Sequence, residues 1–551
     1  MDQMRDLLQR AREWIADDPD PGTRAELATL VDRAQDGVDA EQARADLADR
    51  FAGTLEFGTA GLRGEVGAGP RRMNRAVVIR AAAGLARWIR AHEGGAIVVG
   101  FDARRMSDVF ARDTCAVMEA AGVEAMVLPR PLPTPVLAFA LRYLGADAGV
   151  MVTASHNPPQ DNGYKVYLGD GAQIASPTDE QIAAEIAAVP SVAAVPRVDD
   201  GWVTLDDSVV EAYLDRAAGI LALDGPRDLS VVYTPLHGVG RDLLLEAFTR
   251  AGFDAPLVVA TQGDPDPLFP TVTFPNPEEP GALDAALDLA GEHGVDLVLA
   301  NDPDADRCAV AVPGRDGRWR MLTGDEVGVL LGWHLLRRGA RGTFANSIVS
   351  SSMLGRICAA HGQPHTETLT GFKWITRAPG LRYGYEEALG YCCDPDGVKD
   401  KDGVTAALLV AEIAAEQKAA GRTLLDTLDD LAREHGVHAT GQVSVRVEDL
   451  ARITDTMARL RSSPPTILGG RDVLAVDDLL RPDGPLPPTD GLRLRLADRA
   501  RVIVRPSGTE PKVKCYLEVV QPVTGDDVMA ARSRAERTLD ALREDVAGLL
   551  A

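Results

Sequence analysis

AVVIRAAAGLARWIRAHEGGAIVVG, residues 76–100, sets a helical apolar repeat directly against a short apolar run, with Gly94 and Gly95 as the break between them. The spacing predicts a helix over 76–93 and a buried strand over 96–100. Outward from there the alternation continues: a helix from Ser107, then the runs EAMVL (124–128) and AGVMVT (148–153). Helices alternating with short apolar strands predict an α/β layer on a largely parallel sheet. A second such unit starts at Leu229 with LSVVY, loops through TPLHGVG, enters the helix RDLLLEAFTRAG and reaches the strand VDLVLA at 295–300. A third begins near Thr323 with GDEVGVLLGWHLL and runs through TAALLVAEIAAEQKAAG at 405–421.

Upstream, Leu7, Leu8, Ala11 and Ile15 recur at helical spacing, and Thr23 with Glu26 reads as a capping box before a second apolar stripe through Leu27 and Leu30. Residues 1 to about 50 are therefore expected to be a helical lead-in. Downstream, TGQVSVRV, LRLRL, RVIVR and KVKCYLEVV flank Pro- and Gly-rich stretches and precede a helix from about Asp526. That pattern predicts a smaller α+β domain with an antiparallel sheet.

The chain has 551 residues and a formal net charge of -24. Its length exceeds what one hydrophobic core supports, and its charge would repel a nucleic-acid backbone. The N-terminus is charged throughout, and no run of eighteen uncharged apolar residues occurs. These features predict a cytoplasmic protein with neither nucleic acid nor membrane as partner. The six cysteines are scattered without CxxC pairs or zinc spacing and read as small buried residues.

Four loops carry chemistry. TASHNPPQDNGYKVY (153–167) places Ser155 at the carboxyl end of a strand, where α/β ligand sites form. Ser155 can accept and return a phosphoryl group, His156 is a nearby donor, and Lys165 is a cation or proton shuttle. NDPDADR (301–307) carries Asp302, Asp304 and Asp306. On extended backbone these carboxylates would share one side and suit a hard divalent cation. Counting from Asp302, the Gly and Glu that a calcium-binding helix–loop–helix needs are replaced by Arg307 and Pro313, which excludes that site. YGYEEALGYCCDPDGVKDKDG (383–403) holds Glu386 and Glu387, able to accept from vicinal sugar hydroxyls, followed by Lys399 and Lys401. RPSGTEPK (505–512) combines Arg505, Ser507, Gly508 and Thr509 in a set that fits a phosphate not being transferred. Arg63 in GLRG and Lys373 in TGFKW supply further cations.

Together and in this order the loops resemble the α-D-phosphohexomutase family of phosphoglucomutases and phosphomannomutases. The resemblance runs from about Phe57 to Leu517, and the GYEEALGY form, KDKDG and the N-terminal extension resemble its phosphopentomutase-like and glucose-1,6-bisphosphate-related subgroup. It implies three tandem related α/β domains with mixed sheets, then a smaller C-terminal α+β domain of TATA-binding-protein type. The expected divisions are 1–50 for the helical extension, 51–206 with the phosphoserine loop, 207–318 with the metal loop, 319–436 with the sugar loop and 437–551 with the phosphate loop. By the same resemblance Ser155 is the phosphoserine, and Asp302, Asp304 and Asp306 hold Mg2+ together with a phosphoserine oxygen. Arg63, Lys165, His156 and Arg307 line the reaction centre, while Lys373, Glu386, Lys401, Arg505, Ser507, Gly508 and Thr509 bind substrate. The implied reaction interconverts glucose 1-phosphate and glucose 6-phosphate through a bisphosphate that also serves as activator. Ala388 stands where many phosphoglucomutases have serine, so mannose and pentose phosphates are alternative substrates. Hydrolysis of a sugar phosphate is a further alternative, disfavoured by the fourth loop because a phosphatase needs no second phosphate clamp.

Overall fold

The computed structural model describes residues 2–36, 38–58, 61–446, 451–481, 486–506 and 512–550. The chain packs as two units, one of residues 1–321 with 390–416, the other of residues 322–389 with 417–551. Ser507, Gly508 and Thr509 lie outside the described residues.

The first unit begins with the helices Asp2–Asp17, Pro21–Asp36 and Ala40–Arg50, which bury Ala11, Leu27, Leu30, Val31 and Leu47 together. The expected capping box at Thr23 does not form. Proline fixes the backbone at the first helical position, so the cap moves three residues upstream of Thr23: Asp20 Oδ1 accepts from the Gly22 N–H at 2.7 Å, and Thr23 Oγ1 donates to Asp18. The carboxylate of Asp17 then ties this layer to the following domain by accepting from Val192 N and Ala193 N at 2.8 and 2.9 Å.

The helix Arg75–Ala91 starts at Asn74, whose side chain accepts from Val77 N. It buries Val78, Ile79, Ala82, Leu85, Ala86 and Ile89, one stripe at helical spacing, and each large aliphatic side chain so buried stabilises by about 1.5–3 kcal/mol. It packs over a six-stranded sheet in the order Leu62–Glu65, Asp161–Leu168, Ala148–Val152, Ala96–Phe101, Glu124–Val127, Val203–Thr204. The last four strands run parallel, whereas Asp161–Leu168 pairs antiparallel with both of its neighbours. A second mixed sheet follows, ordered Trp319–Met321, Ala309–Pro313, Leu297–Ala300, Val231–Thr234, Leu257–Val258. In both sheets an antiparallel strand follows directly on a central parallel one, and the connecting turn carries a candidate site loop: Ser155 in the first, Asp302 to Asp306 in the second. Residues 390–416 return to this unit, with Asp400 accepting from Tyr167 Oη and Gln173 Nε2, each at 2.7 Å.

In the second unit, His365–Thr368, Thr343–Ser347 and Leu381–Glu386 form parallel pairs beneath the helix Gly324–Arg337, which opens with a complete capping box of Thr323 and Glu326. An antiparallel six-stranded sheet from Val437–Arg446 to Lys512–Gln521 completes it, covered by the helix Val528–Leu550. No described helix is long and apolar enough to cross a membrane.

Asp325, in the first turn of the helix Gly324–Arg337, accepts from Ser351 N at 2.6 Å and Tyr385 Oη at 3.0 Å. Burial pushes its carboxyl up to about 7, Glu387 and Glu518 adding to the effect against the Ser351 N–H. A carboxyl raised in the folded state binds more protons there than when unfolded, so stability is lost as pH rises from about 4 through about 7. Asp325→Asn keeps an acceptor oxygen. Its thermal midpoint is expected to fall less than that of the parent between pH 5 and pH 8, as read by calorimetry; parallel curves would refute the assignment.

Candidate active site

Ser155 follows the buried strand Ala148–Val152 and has φ +52, a left-handed conformation uncommon for a residue with a side chain and characteristic of functional turns. Arg104 holds the turn there. Its guanidinium, almost wholly buried, donates to the carbonyl oxygens of Ser155 and Asn157 at 2.6 Å each, and to those of Pro158 and Asp161 at 2.9 and 3.1 Å. The ring of Phe269 supports its other face, 4.9 Å from ring centre to Cζ. Four carbonyls on one planar cation leave the turn little freedom, so the serine hydroxyl is presented by the backbone rather than by rotamer choice.

That hydroxyl donates to Asp302 Oδ2 at 2.7 Å and lies 3.2 Å from His156 Nδ1. Asp302, Asp304 and Asp306 are each fully buried and offer oxygens within 4.8 Å of one another. They converge because the loop turns, not because it is extended: Ala305 has φ +53, and its N–H bonds back to Asp302 O at 2.9 Å. The strand alternation expected of this loop is therefore replaced by a tight turn that aims all three carboxylates inward.

Buried carboxylates at this spacing need compensation. Lys165 Nζ donates to Asp304 Oδ2 at 2.7 Å and Asp306 Oδ2 at 2.9 Å. Lys401 Nζ pairs with Asp306 at 3.1 Å, and Arg307 Nε stands 3.8 Å from both Asp302 and Asp306. Burial works against every charge here. It drives Asp302 well above the usual carboxyl range, with Asp304 and Asp306 adding to the rise. Asp304 goes below its ordinary value despite burial because of Lys165, and Asp306 does so through Lys165, Lys401 and Arg307. Lys165 is correspondingly held in the ammonium form by Asp304 and Asp306. Burial, with Arg307 and Arg63, keeps the His156 imidazole neutral. Arg63 donates to Asn157 Oδ1 at 3.2 Å and is itself disfavoured as a cation by burial.

The carboxylate set fits a hard divalent cation on its own chemistry. Oδ1 of Asp304 and Oδ1 of Asp306 are buried without a hydrogen-bond partner among the described residues, the condition a metal ligand leaves behind.

Several contacts here were not read from the sequence. Thr134 Oγ1 donates to Asp304 at 2.7 Å. Asn301 spans the acidic loop, accepting from Tyr233 Oη at 2.8 Å and donating to Arg307 O at 2.5 Å. Gly403 passes so close to that loop that a Cβ would sit 2.3 Å from Arg307 O. The motif KDKDG carried a signal for this, since a glycine ending a charged run marks close backbone approach, but its partner lies about a hundred positions away.

Among the described residues the first unit thus gathers Ser155, His156, Lys165, Arg63, Asp302, Asp304, Asp306, Arg307 and Lys401. The second unit carries Lys373 in the short helix Phe372–Ile375, Glu386 at the end of the strand Leu381–Glu386 and Arg505 on the strand Arg501–Pro506. Glu386 and Arg505 both act electrostatically on Tyr516. Burial raises the Tyr516 hydroxyl above its ordinary value, Glu387 and Glu386 reinforcing the shift and a hydrogen bond with Arg505 opposing it.

Residues 54–192, 211–315 and 323–435 match the phosphoglucomutase/phosphomannomutase alpha/beta/alpha domains I, II and III, and residues 443–535 match the C-terminal domain of the same family. The chain is 47% identical over 486 residues to a "Probable phosphomannomutase" of Haemophilus influenzae, covering 86% of this chain and 99% of that protein. It is 33% identical over 600 residues to the phosphopentomutase of Homo sapiens, covering 98% of this chain and 95% of that protein. A solved phosphoglucomutase/phosphomannomutase family protein of Burkholderia thailandensis superposes with TM-score 0.70 at 21% identity, over 90% of this chain and 97% of that one.

Proposed function

This chain belongs to the phosphoglucomutase/phosphomannomutase family, and from that membership we propose that it interconverts glucose 1-phosphate and glucose 6-phosphate through phosphorylated Ser155 and a bisphosphorylated sugar. It is an enzyme of the isomerase class. The observation that carries the reading is the Ser155 hydroxyl donating at 2.7 Å into a fully buried trio of aspartates.

In the forward half-reaction the P–Oγ bond of phosphoserine breaks as a bond forms to the free hydroxyl of the sugar phosphate, and Ser155 regains a proton. Lys165, held as an ammonium, supplies that proton, and the attacking sugar hydroxyl gives up its own proton to the neutral amine so formed, so no net proton is gained or lost; the reverse half-reaction runs the same exchange backwards. His156, neutral, donates to Oγ and orients it. Asp302, Asp304 and Asp306 would hold Mg2+, which would supply positive charge against the phosphoryl group. Arg63 and Arg307 add fixed positive charge, and Lys401 anchors Asp306 and the substrate side of the loop. Glu386 and Lys373 read the sugar, and Arg505 with Ser507, Gly508 and Thr509 grips the phosphate that is not reacting. The bisphosphate turns over and returns its other phosphate to Ser155, so sugar 1,6-bisphosphate released from the site serves as activator. The five-part division at residues 50, 206, 318 and 436 is the framework for this assignment, and the cytoplasm its setting.

Mannose phosphate is the second reading, favoured by the identity to the Haemophilus protein, and pentose phosphate the third, favoured by the human relative. Purified enzyme with Mg2+ and a trace of glucose 1,6-bisphosphate is expected to convert glucose 1-phosphate to glucose 6-phosphate with a higher kcat/KM than mannose 1-phosphate or ribose 1-phosphate. Chelation should stop turnover and added Mg2+ restore it. A higher kcat/KM on either competitor moves the substrate, and free phosphate without isomer replaces the mutase by a phosphatase.

A further inference from the structure

The turn Ser347–Ser352, in the run NSIVSSSML, touches both the sugar loop and the strand that leads into the phosphate loop of the second unit. On one side, Ser347 Oγ and Ser350 Oγ each donate to Glu387 Oε2 at 2.9 Å, and Glu387 N donates back to Ser350 Oγ at 3.1 Å. The second glutamate of the sugar loop is thereby turned onto the body of its own domain, next to Glu386. On the other side, Arg501 donates to the carbonyl of Ser350 and to Glu367 Oε1 at 2.7 Å, and it ion-pairs with Glu518 at 2.6 Å. Ser351 Oγ and Ser352 N both donate to Glu518 Oε1 at 2.8 Å. Between these polar flanks, Ile348 and Val349 pack on Ile503 and Tyr516 of the C-terminal sheet.

The arrangement links two sites that chain order separates. Arg501 and Arg505 sit four residues apart on one strand, so their side chains leave the same face of the sheet. The turn grips the first of them, and Ile503 lies between. Ser347, Ser350 and Ser351 are buried, so their hydrogen bonds are not traded with water and their positions are sharply defined.

We propose that the Ser347–Ser352 turn is a positioning element that sets Glu386 of the sugar loop relative to Arg505 of the phosphate loop, with Glu387 as the residue through which it holds the sugar loop. This rests on the reading that Glu386 and Arg505 contact substrate. The turn acts through Glu387 and the Arg501 strand and does not itself touch the sugar. Fixing two recognition groups at one separation favours sugar phosphates whose hydroxyl-to-phosphate span matches it.

The test compares full-length Glu387→Ala, Glu387→Gln and Ser350→Ala with the parent, measuring kcat and KM for glucose 1-phosphate and mannose 1-phosphate beside the thermal midpoint. Glu387→Gln retains an oxygen that accepts from both serines and is expected to keep KM within about threefold of the parent. Glu387→Ala is expected to raise KM by about tenfold or more, to change kcat less, and to narrow the ratio between the two sugars. Ser350→Ala should shift KM in the same direction and be less than additive with Glu387→Ala. If Glu387→Ala does not fold, Ser350→Ala against Glu387→Gln carries the same comparison. Equal effects of the alanine and glutamine variants, or a lowered midpoint with KM and sugar ratio unchanged, overturn the proposal. A parent enzyme without mutase activity on any sugar phosphate overturns the functional reading instead.

Discussion

Ser155→Ala is expected to lower mutase turnover by about 10⁴-fold or more, the scale of losing a covalent carrier. The fold should survive. The side chain is small, and the turn that carries it is held by Arg104 through main-chain carbonyls that alanine retains. What the substitution removes is the hydroxyl at 2.7 Å from Asp302, a cost to stability of about 1–3 kcal/mol for a buried acceptor left unmet. Incubation with glucose 1,6-bisphosphate labelled in its phosphates should place label on the parent and none on the variant, at matched circular dichroism. Substantial turnover by the variant with bisphosphate supplied would take the carrier role away from Ser155.

Lys165→Met is expected to be the most destabilising single change at the site. Its ammonium makes two of the short contacts that balance three fully buried carboxylates. Lys401 pairs with Asp306, and Arg307 Nε stands 3.8 Å from Asp302 and Asp306. Methionine preserves much of the volume and none of the charge. Breaking a buried pair by removing one partner costs about 3–5 kcal/mol, because the remaining charge stays out of water. The thermal midpoint should drop accordingly and turnover should be lost with it. Mg2+ should then raise the midpoint of the variant more than that of the parent, since a cation supplies the balance Lys165 no longer gives. Scanning calorimetry with and without Mg2+ measures both effects. A variant as stable as its parent, or one indifferent to Mg2+, would show that Lys165 does not compensate the trio.

The two loops that define the first unit's site were legible because their chemistry is local. TASHNPP combines residues that forbid a helix with a hydroxyl and a cation ten positions on, and DPDADR concentrates three carboxylates within five residues. The reason given for their convergence was wrong: alternation along an extended strand would have sufficed, but the chain uses a turn with Ala305 at φ +53. The capping box at Thr23 failed for a similar reason. The four-residue pattern at Thr23 and Glu26 lies inside the helix, because a stronger neighbouring signal, Asp20 before Pro21, takes the helix start. By contrast the capping box at Thr323 and Glu326 forms in full.

What resisted reading were partners with no sequence proximity. Arg104, Thr134 and Ser350 stand 51, 170 and 37 positions from the groups they hold, and none sits in a pattern that differs from an ordinary turn or helix start. The sequence by itself determined the alternation of helices and strands, the order of the chemical loops and the presence of a hydroxyl turn and an acidic trio within them, because periodicity and local residue chemistry are properties of short segments. Only the tertiary structure decided which cations balance the trio, which guanidinium shapes the serine turn and which serines turn Glu387 inward. Charge compensation and hydrogen-bond satisfaction in a buried site depend on distances in space, and those exist only once separate elements have packed.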